Sequence, residues 1–395
     1  MRIYTYGKVL KIIGFISALI LMFSSIAIFF IKDLDKNPNF NLYYIFIPFS
    51  IIFFIISILG IRDILVSKVV ITESYILSIN AINTRKLRVE EIQGYKRGRN
   101  YVFVYPKKRV FKKKLKFSNY LSNVWEIENW LNSHSHNLDT LEQDREVKEF
   151  YKSTEFGFND HDKERALKKA KKTTRIVNAI SVILTITAII FKDYKIISAI
   201  VLICIPLIII SIVFYYKGLI KYADKEEDET TIYPSVFWGI AAPIFLLFLI
   251  IIFTIDIFNT YNLWLPLLLL AIVIFILFIV GSKEYQVKSK KSYGKLIMLL
   301  LISLMYSHIL IIFLNVTLDE SKAIIYKSKV LEKNISKGKT TSYSLIFDIK
   351  ELNVVKEKFN VSSSVYNKVN VKDSVVFLLK EGLLNIPYYN IKVNE

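Results

Sequence analysis

The feature that most constrains this chain is a series of apolar runs long enough to cross a lipid bilayer. About 20 apolar residues, each rising about 1.5 Å in a helix, span the hydrocarbon core. Seven runs reach or approach that length: Ile12 to Ile31, Leu42 to Ile61, Ile176 to Phe191, Ile196 to Tyr216, Val236 to Ile255, Leu263 to Val280 and Leu296 to Leu314. The sequence therefore predicts an α-helical membrane protein with about seven transmembrane helices.

The net charge of +19 is the second unusual property of the chain. In a soluble protein this charge would suggest nucleic acid, but 53% of the residues are hydrophobic and the loops of membrane proteins collect Lys and Arg on the cytoplasmic side. No helix-turn-helix, zinc-finger or RNA-binding signature accompanies the charge. We therefore expect no nucleic-acid partner.

Lys and Arg in the short flanks predict the orientation. The amino terminus carries Arg2, Lys8 and Lys11, and residues 281–295 carry five lysines. The positive-inside rule places both segments in the cytoplasm. With seven spans the carboxyl terminus is extracytoplasmic. We expect a multi-pass protein of the cell (inner) membrane.

The distribution of polar segments predicts five parts. They are two transmembrane helices (1–61), a cytoplasmic domain (62–137), a helical linker (138–175), five transmembrane helices (176–314) and an extracytoplasmic β-rich domain (315–395). Within the cytoplasmic domain, alternating residues predict strands at 68–72, 75–80, 86–92, 101–105 and 112–117. A helix follows, with Ser122 as its expected N-cap and Val124, Ile127 and Leu131 on its apolar face. This order predicts a small β-barrel closed by one helix.

Three stretches of this domain resemble bacterial PH-like domains, which are often attached to membrane helices. They are VITESYILS (70–78), VEEIQGY (89–95) and KKLKFSNYLSNVWEIENWL (113–131). The chain departs from that pattern at Val89, where such domains often carry Trp. It departs again at the turn of Thr72, Glu73 and Ser74, where phosphoinositide-binding PH domains generally place basic residues. The resemblance implies the fold and does not imply a phosphoinositide site.

The cations of this domain lie later, between Tyr95 and Phe117, which hold ten Lys or Arg and no acidic residue. Near an anionic leaflet each cation contributes about 1 kcal/mol. Three explanations stay open: contact with anionic lipid, an orientation signal, and an acidic partner such as the loop Asp224 to Glu229 of the same chain. The candidate lipid- or partner-binding residues are Lys107, Lys108, Arg109, Lys112, Lys113 and Lys114.

The carboxyl-terminal part also carries a resemblance. Strand-like pieces lie at 323–331, 343–349, 375–379 and 386–393, and the ending KEGLLNIPYYNI (380–391) resembles the last hairpin of small extracytoplasmic β-barrel domains. Such domains terminate bacterial multi-span proteins of unknown function. The resemblance rests on Asp373, Gly382, Leu384, Pro387 and Tyr388, and it implies a fold without an activity.

No recognisable catalytic set is present in the sequence. P-loop, GxGxxG, HExxH, GxSxG and kinase motifs are absent, so we expect no enzyme activity, no cofactor and no metal site. Polar residues within the spans are candidates for function because burying them is costly. His308 and Asn178 are the candidates, although packing between helices explains both.

These patterns favour a non-enzymatic membrane scaffold or sensor that couples a PH-like cytoplasmic domain to an external β domain. The expected partners are membrane lipids of the anionic leaflet and proteins that the sequence does not identify. One alternative is a transporter or channel-like protein, for example for lipid, that uses spans three to seven. Another is an intramembrane enzyme, which only His308 and its neighbours favour.

Overall fold

The computed structural model describes residues 1–27, 43–108, 112–190, 195–282, 290–337, 341–352 and 354–393. By length and composition, six helices in these ranges are long and apolar enough to cross a membrane: Lys8–Ala27, Asp160–Ile190, Ile197–Tyr215, Phe237–Thr254, Tyr261–Gly281 and Tyr293–Thr317. They overlap six of the seven predicted runs. The remaining run, Leu42 to Ile61, overlaps the helix Tyr43–Val66, which is not among the six. A multi-pass helical membrane part with additional β-sheets is thereby confirmed.

The chain forms two compact units. The first contains Met1–Lys148, Lys225–Thr231 and Ile335–Ser342, and the second contains Glu149–Asp224, Ile232–Asn334 and Tyr343–Glu395.

The first unit begins with a strand that the sequence analysis did not predict. Strand β1 (Arg2–Thr5) directly precedes helix α1 (Lys8–Ala27), and helix α2 (Tyr43–Val66) leads into strand β2 (Lys68–Ile71). The two strands pair antiparallel, with Arg2 opposite Ile71 and Thr5 opposite Lys68. Each of the two helices is therefore joined to a strand of the same sheet by only one or two residues.

Small residues allow α1 and α2 to pack closely. A Cβ added at Gly14 would lie 2.9 Å from the Ile64 side chain, and one at Gly60 would lie 3.8 Å from Ala18. The hydroxyl of Ser50 donates to the carbonyl of Ser25 at 2.5 Å. Close backbone approach of this kind is typical of helix pairs in membranes.

Two four-stranded sheets and one helix follow. The first sheet has the order β1-β2-β3-β4, with β3 at Tyr75–Ile79 and β4 at Thr84–Arg88. The second has the order β7-β6-β5-β8, and its strands are β5 (Ile92–Arg97), β6 (Tyr101–Pro106), β7 (Leu115–Ser118) and β8 (His136–Asn137). Helix α3 (Val124–His134) buries Ile127 and Leu131 in the core that both sheets share. The predicted apolar face of this helix is confirmed.

Two local predictions in this unit were wrong. The strand expected at 86–92 is two strands, because the amide of Arg88 donates to the Glu91 carboxylate at 2.8 Å and closes a 3-10 turn at Val89–Glu91. Ser122 does not cap α3. Its amide donates to the carbonyl of Thr5 at 2.9 Å, and Asn123 begins the helix in a left-handed conformation with φ 55.

The second unit contains the remaining long helices. The last residues of helix α4 (Leu138–Lys152) belong to this unit. The helices that follow are α5 (Asp160–Ile190), α6 (Lys195–Tyr215), α7 (Phe237–Thr254), α8 (Trp264–Gly281) and α9 (Lys290–Thr317). Buried polar bonds join these helices, among them the one from the hydroxyl of Tyr306 on α9 to the carbonyl of Ile203 on α6, at 2.6 Å. Large apolar side chains such as Phe253 and Leu265 face outward.

Two sheets complete the second unit. The first has the order β10-β14-β15-β9, with β9 at Asp256–Ile257, β10 at Ile324–Lys329, β14 at Ser374–Lys380 and β15 at Tyr388–Val393. The other has the order β11-β12-β13, with β11 at Glu332–Lys337, β12 at Thr341–Ile349 and β13 at Val354–Val361. Helix α10 (Ser363–Lys368) precedes β14. Strands β9, β11 and β13 were not predicted from the sequence.

Asn315 joins the end of α9 to these sheets. It is fully buried, its side-chain amide donates to the carbonyl of Ile386 at 2.9 Å, and its side-chain oxygen accepts from the amide of Leu384 at 2.9 Å. Gly382 lies so close that any Cβ there would overlap Asn315. Gly382 and Leu384, two of the positions on which the resemblance rested, therefore lie where the sheet is bonded to the end of α9.

Candidate functional site

The basic stretch of the first unit forms strands β5, β6 and β7. Because side chains alternate along a strand, Val102 and Val104 face the core while Tyr101 and Tyr105 face the other side of the sheet. Several lysines lie over these aromatic rings. The Nζ of Lys116 is 3.5 Å from the ring centroid of Tyr101, and the Nζ of Lys114 is 4.7 Å from that of Phe103. The sheet thus presents cations held against aromatic side chains.

Asp228 lies on this sheet, and its side chain is only 5% exposed. Its carboxylate accepts a hydrogen bond from the hydroxyl of Tyr105 and forms an ion pair with Lys114. The carbonyl of Asp228 accepts from the Nζ of Lys96 at 3.1 Å. A buried carboxylate needs partners of this kind to offset its loss of water. Asp228 belongs to a segment that we call the acidic loop, Lys225–Thr231, which connects α6 and α7 in sequence.

Glu227 makes the second set of contacts of the acidic loop. Its carboxylate accepts from the amide and, at 3.4 Å, from the side chain of Asn100, in the turn between β5 and β6. A Cβ at Gly98 in the same turn would overlap the carbonyl oxygen of Glu227. The turn carries glycine because the loop backbone passes directly over it.

Helix α4 supplies the third side of the site. Glu142 pairs with the buried Nζ of Lys96. Asp139 accepts from the amide of Arg97 at 2.6 Å and from the hydroxyl of Thr230. Lys96 is thereby enclosed between a carboxylate of α4 and a carbonyl of the acidic loop, and it is not available to a ligand.

Burial shifts the pKa of two groups at this site. Burial, followed by the hydrogen bond to Asp228, raises the pKa of Tyr105 above its usual range, so the phenol stays neutral and donates. Burial raises the pKa of Glu128, while Arg97, at 2.8 Å from its carboxylate, opposes that shift.

The six predicted lipid- or partner-binding residues have different environments. Lys114 pairs with Asp228, and Lys112 donates to Glu91 at 2.7 Å, which lowers the pKa of that glutamate. Lys107, Lys108 and Lys113 are exposed. Arg109 lies outside the described residues. The patch is thus divided between residues with an internal acidic partner and residues that face solvent.

The two intramembrane candidates lie in the second unit. The side chain of Asn178 donates to the carbonyl of Ser235 and accepts from the amide of Gly239, both at 2.9 Å, and so joins α5 to the start of α7. The ring of His308 packs edge-on against Phe248, with centroids 5.4 Å apart. Asn178 is used in helix packing, as its sequence context suggested.

The acidic run at 224–229 was the sequence signal that identified the acidic loop. Nothing in the sequence selected Tyr105, Asn100 or Asp139 as its partners, because they lie far from the loop along the chain. Among the described residues, no group of three or more His, Cys, Asp or Glu side chains could hold a metal ion.

Comparison of the chain with protein-family models, with curated proteins and with solved structures finds no match.

Proposed function

We propose that this protein is a non-enzymatic membrane scaffold or sensor that couples a PH-like cytoplasmic domain to an external β-rich domain. The observation that carries the proposal is the position of Asp228. A residue of the connection between α6 and α7 has its carboxylate buried against Tyr105 of β6 and against Lys114, which directly precedes β7. A buried carboxylate that loses such a partner is destabilised, because water does not replace the lost contact. A movement of the strands is therefore transmitted to the connection between these helices.

Two further features support coupling. Strands β1 and β2 pair with each other and directly adjoin α1 and α2, so a rotation of either helix displaces the strand next to it. At the end of α9, Asn315 bonds to Leu384 and Ile386, so this helix and the carboxyl-terminal sheets move together. Each membrane segment named here is attached to β-structure by buried hydrogen bonds or by continuous backbone.

The exposed lysines suggest the membrane partner. Lys107, Lys108 and Lys113 have no role in holding the acidic loop, and we propose that they contact the anionic leaflet. In this arrangement the inner membrane is the location, the amino terminus is cytoplasmic and the carboxyl terminus is extracytoplasmic. Protein partners of the two domains complete the scaffold.

Hydrogen exchange in lipid nanodiscs tests the coupling. Asp228→Asn is compared with Asp144→Asn, an exposed position on α4 that undergoes the same chemical change. We expect Asp228→Asn to accelerate exchange in the acidic loop, in the adjoining ends of α6 and α7, and in the carboxyl-terminal sheets. Asp144→Asn should leave all of them unchanged. An effect confined to the loop itself would contradict the proposed coupling.

A further inference from the structure

A cleft of about 340 Å³ lies in the first unit, beside the ends of helices α1 and α2. Its size is at the lower end of the range for small-molecule pockets, about 300–1,000 Å³. Its lining consists of Tyr6, Leu10, Gly14, Ile64, Asn100, Tyr101, Ser118 and Tyr120. None of the residues proposed above to contact the anionic leaflet is among them, so the cleft is separate from that surface.

The two ends of the cleft differ in chemistry. Leu10 and Gly14, one turn apart on α1, and Ile64 on α2 form an apolar end. Helix α1 is long and apolar enough to cross a membrane, and its side chains next to the cleft, such as Leu10 and Ile13, are exposed. The apolar end is therefore adjacent to a surface that acyl chains would cover.

The polar end is formed by strands β6 and β7 and the segments beside them. The hydroxyl of Tyr120 donates to the side-chain oxygen of Asn100 at 3.2 Å, and Ser118 lies next to them. Tyr6, Tyr101 and Tyr120 contribute three aromatic rings to the lining. Aromatic rings with a polar tip are typical of the level of the lipid headgroups.

An acidic and a basic residue, Asp63 and Lys116, contact tyrosines of this polar end but are not part of the lining. Asp63 also accepts hydrogen bonds from the hydroxyl of Ser67 and the amide of Ala81. The hydroxyl of Tyr6 donates to Asp63 at 3.3 Å, and burial together with Asp63 raises the pKa of Tyr6 to about 12, against a hydrogen bond with Ser118 that lowers it. Burial raises the pKa of Tyr101, and the carboxylates of Asp63 and Glu227 add to the shift. Lys116 stands 3.5 Å from the centre of the Tyr101 ring. Carboxylates with tyrosine rings favour an ammonium group, and a lysine favours a phosphate.

We propose that this cleft binds a zwitterionic membrane phospholipid with an ammonium headgroup. The ammonium lies among the tyrosine rings on the side of Asp63, the phosphate lies toward Lys116, and an acyl chain runs along Leu10 and Ile64. A membrane lipid is the occupant because it carries an apolar and a charged part in the order that the cleft requires. This inference does not depend on the proposed coupling between the cytoplasmic and external domains.

Native mass spectrometry of the full-length protein in detergent tests the inference. Phosphatidylethanolamine and phosphatidylglycerol with identical chains are added separately and in competition, and free phosphoethanolamine is added as a competitor. Leu10→Trp fills the apolar end, and Val9→Trp adds the same ring at an exposed neighbour outside the lining. Tyr120→Ala removes an exposed ring of the cleft, and Tyr261→Ala is its control at another exposed tyrosine.

We expect one phosphatidylethanolamine to be retained by the wild type. Leu10→Trp, which fills the apolar end, and Tyr120→Ala, which removes a ring from the polar end, should each weaken this binding by about tenfold, while Val9→Trp and Tyr261→Ala should not. Free phosphoethanolamine should not compete. The inference is overturned if Leu10→Trp binds like the wild type, if Val9→Trp loses as much, if phosphatidylglycerol competes equally, or if the free headgroup displaces the lipid.

Discussion

The phenol of Tyr105 donates a hydrogen bond to the carboxylate of Asp228, a residue 123 positions away along the chain. Lys114, which directly precedes strand β7, reaches the same carboxylate oxygen. The basic strands of this domain are therefore not solvated throughout, because part of their charge is neutralised by an acidic loop of the same polypeptide. This relationship leads to the first prediction.

Lys114→Gln should destabilise the protein, whereas Lys113→Gln should not. The first change leaves Asp228 with a partner missing, but Lys114 is partly exposed, so we expect a loss of about 1 kcal/mol, less than for a fully buried pair. Lys113 is exposed, and its replacement should alter the free energy of unfolding by less than about 0.5 kcal/mol. Thermal unfolding in detergent measures both. Equal stability of the two variants would show that the Asp228 pair contributes nothing.

Gly98→Ala should displace the acidic loop. The added Cβ would overlap the backbone of Glu227, so the loop must move away and its contacts with Asn100 must lengthen. Limited proteolysis with trypsin, which cleaves after Lys225, should become several-fold faster. Gly294→Ala is the matched control, because a Cβ there meets nothing within 4 Å. Unchanged cleavage of Gly98→Ala would contradict the close approach of loop and turn.

The carboxyl-terminal sheets should lose stability in acid through Asp319. Burial alone would raise the pKa of this carboxyl, but hydrogen bonds from Ser321 and Tyr388 and the charge of Lys380 outweigh it and hold the pKa below its usual range. Because the folded pKa is depressed, the stabilisation is fully present above the unfolded pKa of about 3.9 and is lost as the pH falls through the folded pKa.

Asp319→Asn tests this pH dependence. The variant should be less stable at neutral pH by about 1–3 kcal/mol, and the difference from the wild type should shrink below about pH 4. Near-ultraviolet circular dichroism, followed during thermal unfolding of both proteins at each pH, measures the difference in stability. If the difference in stability between the two proteins stays constant from neutral to acidic pH, the charge of Asp319 is not the cause of the effect.

The exposed lysines Lys107, Lys108 and Lys113 should contact anionic lipid. In nanodiscs that contain photoactivatable phosphatidylserine, we expect cross-links to residues 62–137, and the triple change of Lys107, Lys108 and Lys113 to Gln should reduce their yield by several-fold. Raising the salt from 0.1 to 1 M should have a similar effect, because the Debye length falls from about 10 to about 3 Å. Replacing Lys68, Lys86 and Arg88 by Gln, which removes the same charge outside the candidate residues, is the control. If both triple variants cross-link alike, the patch acts only through its total charge.

The sequence by itself determined the elements whose pattern is local. The apolar runs predicted the helices that are long enough to cross a membrane, since length and hydropathy suffice for that decision. The spacing of Val124, Ile127 and Leu131 identified the buried face of α3, because this spacing is the period of a helix. Most strands of both β-rich parts lie where alternation predicts them.

Only the tertiary structure decided which distant segments meet. Strand β1 has four residues and no signal of its own, and it exists because β2 offers an edge to pair with. Ser122 has the residue type of an N-cap, but its amide donates a hydrogen bond to the carbonyl of Thr5, and Asn123 takes the N-cap position. The sequence contained the basic strands and the acidic loop, yet it left lipid, orientation and internal pairing as alternatives for Lys114. Periodicity records the neighbours a residue has along its own element, whereas the partner of a charge depends on how the whole chain is folded.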